Sequence, residues 1–120
     1  MATKIYISGP MSGMENYNYE AFFAAEERLN EKGYEVINPA RLGYVEGWSW
    51  EDYLRRDIKA MLDADAVVVL PNWLDSKGAR LEILVASKLG MPIYDEETME
   101  ELDVQLVIAI QKLERKSVTA

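Results

Sequence analysis

The chain contains no cysteine and no histidine. Without Cys there is no disulfide, no thiolate metal site and no cysteine nucleophile. Without His there is no Ser-His-Asp triad, no imidazole general base and no ordinary zinc site. Positive charge is scarce as well: 13 Lys and Arg stand against 21 Asp and Glu, a net charge of −8. Such a chain lacks the clustered Lys and Arg that release counterions from duplex DNA. It is equally unsuited to an anionic membrane surface. A single nucleotide is not excluded, because backbone N–H groups can hold one phosphate locally. No apolar run is long enough to cross a bilayer. The first residues run directly into strand-like sequence, so we expect no leader peptide and a cytoplasmic location.

What is present is 120 residues, 49% of them hydrophobic and 28% charged. That is ordinary for a globular chain, and it is enough for one domain with one sizeable core over residues 1–120. With His and Cys absent, chemistry falls to carboxylates, hydroxyls, amines and amides.

Lys4-Ile5-Tyr6-Ile7-Ser8 is a β-rich run closed by Gly9-Pro10. Tyr19 to Lys32 carries Phe22, Phe23, Glu26 and Leu29 at helical spacing, and Gly33 ends it as a C-cap glycine. Glu35 to Asn38 reads as a second strand, stopped by Pro39. Residues 40–49 form a loop with Gly and aromatics. Trp50 to Ala64 reads as a helix on the stripe Leu54, Ile58, Met61 and Leu62. Ala66 to Leu70 is a continuous apolar run, the mark of a strand buried on both faces. A helix follows and ends at Gly90, then a strand from Met91 to Tyr94. Thr98 to Lys116 reads as a final helix, with Leu102, Leu106, Ile110 and Leu113 in register. The order β-α-β-α-β-α-β-α predicts a three-layer α/β domain. Its parallel sheet of about four strands has helices on both faces. Ligands of such sheets bind at the carboxyl ends of the strands. The segments leaving those ends are Gly9 to Gly13, Asn38-Pro39, Pro71 to Gly78 and the residues after Tyr94.

Glu82 stands out. Ala79, Ile83, Ala86 and Leu89 form one apolar stripe, and Glu82 lies three after Ala79 and four before Ala86. A carboxylate on the packed side of a helix is costly unless something pairs with it or uses it. The plainer alternative is a half-exposed Glu near a helix start, favoured by the macrodipole. Asp57 borders the apolar face of its own helix in the same way. Its plainer alternative is a surface pair with Arg56 or Lys59. Two carboxylates flanking one strand suit acid/base or nucleophile/orienter work at a glycosidic bond.

Ser8-Gly9-Pro10-Met11-Ser12-Gly13 is a Gly/Ser loop whose backbone can approach a phosphate or sugar hydroxyl. It matches neither the dinucleotide fingerprint nor the P-loop, and it serves equally as a plain turn. Asp75-Ser76-Lys77-Gly78 would cap the following helix and offers a hydroxyl and free N–H groups to an anion. Trp48, Trp50, Tyr53 and Trp73 can stack on a base or fill space. Asp95-Glu96-Glu97 with Glu100-Glu101 reads as a solvated helix start, and its spacing supports no Mg²⁺ site.

Taken in order, Lys4 to Gly13, Asn38-Pro39, Trp50 to Asp57 and Asp75 to Glu82 resemble the nucleoside 2-deoxyribosyltransferase superfamily. The likeness is to a small bacterial and phage branch related to the nucleoside 5′-monophosphate N-glycosidases, and it covers roughly residues 4–94. The resemblance implies a flavodoxin-like or Rossmann-like sheet and catalysis without metal or organic cofactor. It implies that Glu82 attacks C1′ of the sugar. Asp57, with Asp65, would hold the sugar and the Glu, and the Tyr6 phenol would contact the nucleophile. Ser76, six residues before Glu82, would meet a 5′-phosphate beside Gly9 and Gly13. The catalytic candidates are thus Glu82, Asp57 and Tyr6. The substrate-binding candidates are Ser8, Gly9, Pro10, Gly13, Asn38, Trp73, Ser76 and Gly78. The expected activity is cleavage of the base–sugar bond of a (deoxy)nucleoside or its 5′-monophosphate, by hydrolysis or transfer. The alternative is a non-catalytic nucleotide-binding module with the same cleft. The final helix carries more apolar residues than four strands need, so a homodimer or larger assembly is expected.

Overall fold

The computed structural model describes residues 2–119, with side chains through residue 113. Four strands and four α-helices alternate: β1 Lys4–Ser8, α1 Tyr19–Glu31, β2 Glu35–Ile37, α2 Trp50–Met61, β3 Ala66–Val69, α3 Lys77–Lys88, β4 Ile93–Asp95 and α4 Val104–Thr119. The strands form one parallel sheet in the order β2-β1-β3-β4. This is the three-layer parallel α/β architecture that the alternation predicts.

Strand chemistry sorts the core into two layers. Ile5 and Ile7 of β1 pack with Phe22, Ala25 and Leu29 of α1. Tyr6, one residue out of phase with them, faces the opposite layer with Met61, Ala79, Ile83 and Ala86 from α2 and α3. β3 is buried at all four positions, as its unbroken apolar run requires. Among the described residues of α4, Val104, Val107 and Ile108 join the second layer.

Local signals set the helix ends. Ser49 and Asp52 form a reciprocal capping box at the start of α2. Ser76 Oγ accepts the Ala79 N–H at the start of α3. After α1, Gly33 takes a φ of +92°, while Tyr34 N–H returns to the Leu29 carbonyl.

Several sequence expectations change: α2 ends at Met61 rather than Ala64, and Leu62 and Leu89 of the expected apolar stripes are exposed. The acidic stretch after β4 is no helix start. Asp95 Oδ1 accepts the N–H groups of Glu97 and Thr98, Tyr94 bridges Glu101, and Leu102 N–H bonds to the Ile93 carbonyl. These local bonds make a compact turn, and α4 begins at Val104 rather than at the expected Thr98. Leu102 packs on the core from that turn, while Leu106, Ile110 and Leu113 of the expected stripe are exposed. α4 instead packs through Val104, Val107 and Ile108. The expected end of this helix, Lys116, falls where side chains lie outside the described residues.

No helix among the described residues is long and apolar enough to cross a membrane.

Candidate functional site

β1 connects leftward to β2 and β3 connects rightward to β4, so the crossovers diverge between the two central strands. An open α/β sheet leaves a crevice at that switch point, beyond the carboxyl ends of the strands. A cavity of about 580 Å³ occupies it. Its walls come from the β1 loop, Pro39, the 43–44 turn, α2 and the start of α3. Among the described residues, those after Tyr94 do not line the cavity, and Tyr94 instead bridges Glu101.

Glu82 lies on the cavity wall and is only 6% exposed. Tyr6 Oη donates to Glu82 Oε2 at 2.9 Å, and Ser8 Oγ donates to Glu82 Oε1 at 2.8 Å. The two donors are two residues apart on β1, hence on one face of the strand. Each carboxylate oxygen therefore has one fixed hydroxyl partner. Burial pushes the Glu82 carboxyl up to about 7. The Ser8 and Tyr6 hydrogen bonds oppose that rise, and the nearby Asp57 charge adds to it. Desolvation outweighs two hydroxyl donors here, so hydrogen bonding does not keep this acid near its ordinary value. Burial also raises the Tyr6 phenol well above its usual range, with the Glu82 and Asp57 charges acting in the same direction.

Asp57 lines the same cavity. Burial raises its carboxyl, and Arg56 beside it partly offsets the rise. The accompanying Asp65 is elsewhere: it accepts the Lys4 N–H, at the amino ends of the strands and away from the cleft.

The substrate-binding candidates divide. Gly9, Pro10, Ser76 and Gly78 line the cavity. A Cβ on Gly9 would lie 2.9 Å from Leu70 Cβ, so this position requires glycine for the strand ends to close. Ser8 is fully buried and acts on Glu82 rather than on the cleft directly. Gly13 is exposed on the far side of its turn, with a φ of +78° and no cavity surface. Asn38 is a structural residue: its side chain caps Ala40 N–H and donates to the Phe22 carbonyl. Trp73 sits in the core against α3, its ring covered by the apolar layer rather than open to a base.

The aromatic wall comprises Tyr17, Tyr19, Tyr44, Trp50 and Tyr53. Trp50 and Tyr53 were identifiable from sequence as stacking residues. Tyr17, Tyr19 and Tyr44 were not, because only the folded loops bring them to the cleft. Trp48 packs edge-on against Tyr53, with centroids 5.2 Å apart, and supports the wall from behind. Tyr17 stands between Asn16 and Asn18, and all three have positive φ. Asn tolerates this conformation and Tyr does not, so the segment carries strain at the rim of the cleft. Asn18 Nδ2 ties it to the Pro10 carbonyl at 3.0 Å.

Among the described residues, no group of three or more carboxylates comes together to hold a metal ion. The arrangement offers a buried carboxylate pushed up to about 7, a second carboxylate, and flat aromatic surfaces. It is suited to attack on, or stabilisation of, an electron-poor carbon in a ligand with a planar part.

Comparison with known proteins bears on the fold and the family of the chain. Residues 3–95 match the family model described as a domain of unknown function (DUF4406). No curated protein matches the chain. The fold is similar to that of a 2-deoxyribosyltransferase from the psychrotolerant bacterium Bacillus psychrosaccharolyticus, with a TM-score of 0.62 and 26% identity over 77% of this chain and 70% of that one. It is also similar to a conserved protein from Enterococcus faecalis V583, with a TM-score of 0.60 and 24% identity over 79% of this chain and 63% of that one. With its matched region spanning every strand and the whole cleft, the chain belongs to the DUF4406 family, within the nucleoside deoxyribosyltransferase-like superfamily.

Proposed function

We propose that the protein cleaves the base–sugar bond of a (deoxy)nucleoside or nucleoside 5′-monophosphate, with Glu82 as the nucleophile. The observation that carries this reading is the Glu82 carboxylate, buried at the cleft wall with one hydroxyl donor on each oxygen. Those donors fix its orientation and leave the second lone pair of each oxygen free for attack. The similarity to a 2-deoxyribosyltransferase supports the choice of a glycosidic bond.

In this reading the C1′–N bond breaks with its electron pair leaving on the base, and one Glu82 oxygen forms a bond to C1′. The carbon carries oxocarbenium character between the two events, which the Glu82 and Asp57 charges stabilise. Water then attacks C1′ and displaces Glu82 as the carboxylate, and the proton that water loses balances the one the departed base anion takes up, which gives hydrolysis. A second base in place of water gives transfer. The base stacks on the aromatic wall, and Ser76 and Gly78 at the start of α3 meet the 5′ side of the sugar.

Glu82 attacks only when ionised. Because its carboxyl is raised to about 7, the rate should climb with pH through about that value rather than through the ordinary carboxylate range. Glu82→Gln should lower base release by roughly a thousandfold or more. The test is chromatographic detection of free base from a panel of nucleosides and monophosphates. A wild-type protein that releases none, yet binds one of them, would be the non-catalytic module instead. The same reading extends to assembly: we propose that the exposed apolar side of α4 meets a second copy of the chain.

A further inference from the structure

Arg56 sits between two tasks that the proposed reaction does not explain. Its Nη1 donates to the carbonyls of Leu42 at 3.1 Å and Gly43 at 2.8 Å. Its guanidinium lies 5.3 Å from the ring centres of both Trp48 and Tyr53. Its Nε reaches Asp57 Oδ1 at 3.3 Å. One side chain on α2 thus touches the carbonyls of the loop, its aromatic anchors and the cleft carboxylate. Tyr53 also holds the middle of the loop, its Oη donating to the Val45 carbonyl and accepting the Val45 N–H, and the Ser49–Asp52 capping box holds its end. No strand or helix forms between Leu42 and Ser49, and within this stretch the Trp48 N–H turns back to the Val45 carbonyl. Its Gly43 and Tyr44 form part of the cavity wall.

We propose that Arg56 is a positioning residue: it fastens the 42–49 loop to α2 as one wall of the cleft and holds the Asp57 carboxylate in its orientation toward the cavity. The guanidinium suits this because it is planar, carries five donors and stays charged while lying beside both rings. A Lys at this position would keep the charge but cannot span two carbonyls and a carboxylate while lying against both rings. The other ionisable groups facing Asp57 are Glu82 from α3 and the Tyr6 phenol from β1, and the Asp57 charge raises both of them. Arg56 is the group that acts in favour of Asp57 ionisation.

The proposal rests on the reading of the cleft as a glycosidic site only for its effect on rate, so two activity-independent measurements test it. The first is hydrogen exchange of the 42–49 amides in the full chain. Arg56→Met and Arg56→Lys should both speed that exchange by roughly tenfold, as local opening becomes easier. The second is the carboxyl carbon-13 titration of Asp57. Its midpoint should rise in Arg56→Met and stay near the wild-type value in Arg56→Lys. Unchanged loop exchange in either variant overturns the clamp. An unchanged Asp57 midpoint in Arg56→Met overturns the hold on the carboxylate. If Arg56→Met fails to fold, Arg56→Lys still decides the clamp. Failure of the wild-type protein to release base would overturn the reaction and leave both measurements valid.

Discussion

At the scale of single residues, the site is a balance between burial and two hydroxyls. Glu82 would ionise at an acidic pH if exposed, and its hydrogen bonds from Tyr6 and Ser8 favour the charged form. Burial wins by a margin that raises the carboxyl from 4.5 to about 7. A raised acid binds its proton more tightly in the folded state. Between those two values the folded state holds more protons than the unfolded one, so stability falls as pH rises through that window. Above pH 7 the ionised Glu82 costs the fold about 3 kcal/mol. Glu82→Gln removes that cost, so this variant should melt higher than the wild type by roughly 5 °C or more at pH 8. The gap should narrow at pH 5, where the wild-type carboxyl is protonated. Paired calorimetric scans at the two pH values check it, and a gap that widens toward acid would contradict the assignment. The position of Glu82 was legible in the sequence because helical spacing placed it on a packed stripe. The role of Ser8 was only half legible. Strand alternation put it on the same face as Tyr6, but nothing in the sequence distinguished a hydroxyl facing the ligand from one facing a carboxylate.

At the scale of elements, what was readable depended on whether one periodicity dominated. β3 is uniformly apolar and was read to within a residue. The starts of α1 and α2 were placed correctly from their end signals, whereas α2 stops at Met61 before the expected Ala64 and Leu62 of its expected stripe is exposed. α4 is apolar on several sides, so periodicity alone could not choose Val104, Val107 and Ile108 over Leu106, Ile110 and Leu113 as its packed face. The acidic run before it looked like a favourable helix start, whereas Glu96 within that run is fully buried. It pairs with Arg28 of α1 through two bonds of 2.8 Å. This link fastens the turn after β4 to α1, across the edge of the sheet. Removing the cation leaves an unpaired buried carboxylate, which is the costly way to break such a pair. Arg28→Met should therefore destabilise the chain by about 3 kcal/mol, and Glu96→Gln in the Arg28→Met background should recover part of it. Denaturant titration of the wild type, the single variant and the double variant measures both. A full loss that the second substitution does not relieve would show that packing of the Arg28 stem, rather than charge, is what matters.

At the scale of the whole molecule, the layers are unequal: α1 alone covers one face of the sheet, and α2, α3 and α4 gather on the other. α4 contacts α3 along part of one side, leaving Leu106, Ile110 and Leu113 exposed. Three large apolar side chains in a row on one helix mark a surface that gains by being covered. We expect static light scattering at micromolar concentration to give at least twice the 13.7 kDa of one chain. Charging that surface with Leu106→Glu and Ile110→Glu together should return the mass to that of a single chain. A wild-type monomer would remove the proposal. The same unequal layering bears on how this chain can change over generations. β1 lies between two neighbouring strands and divides its residues by parity: Ile5 and Ile7 serve one layer, while Tyr6 and Ser8 serve the carboxylate in the other. Apolar exchanges at the odd positions alter packing alone, whereas exchanges at the even ones alter chemistry. A single inserted or deleted residue within β1 would swap the two sets at once, so lineages of this protein can vary that strand by substitution but not in length.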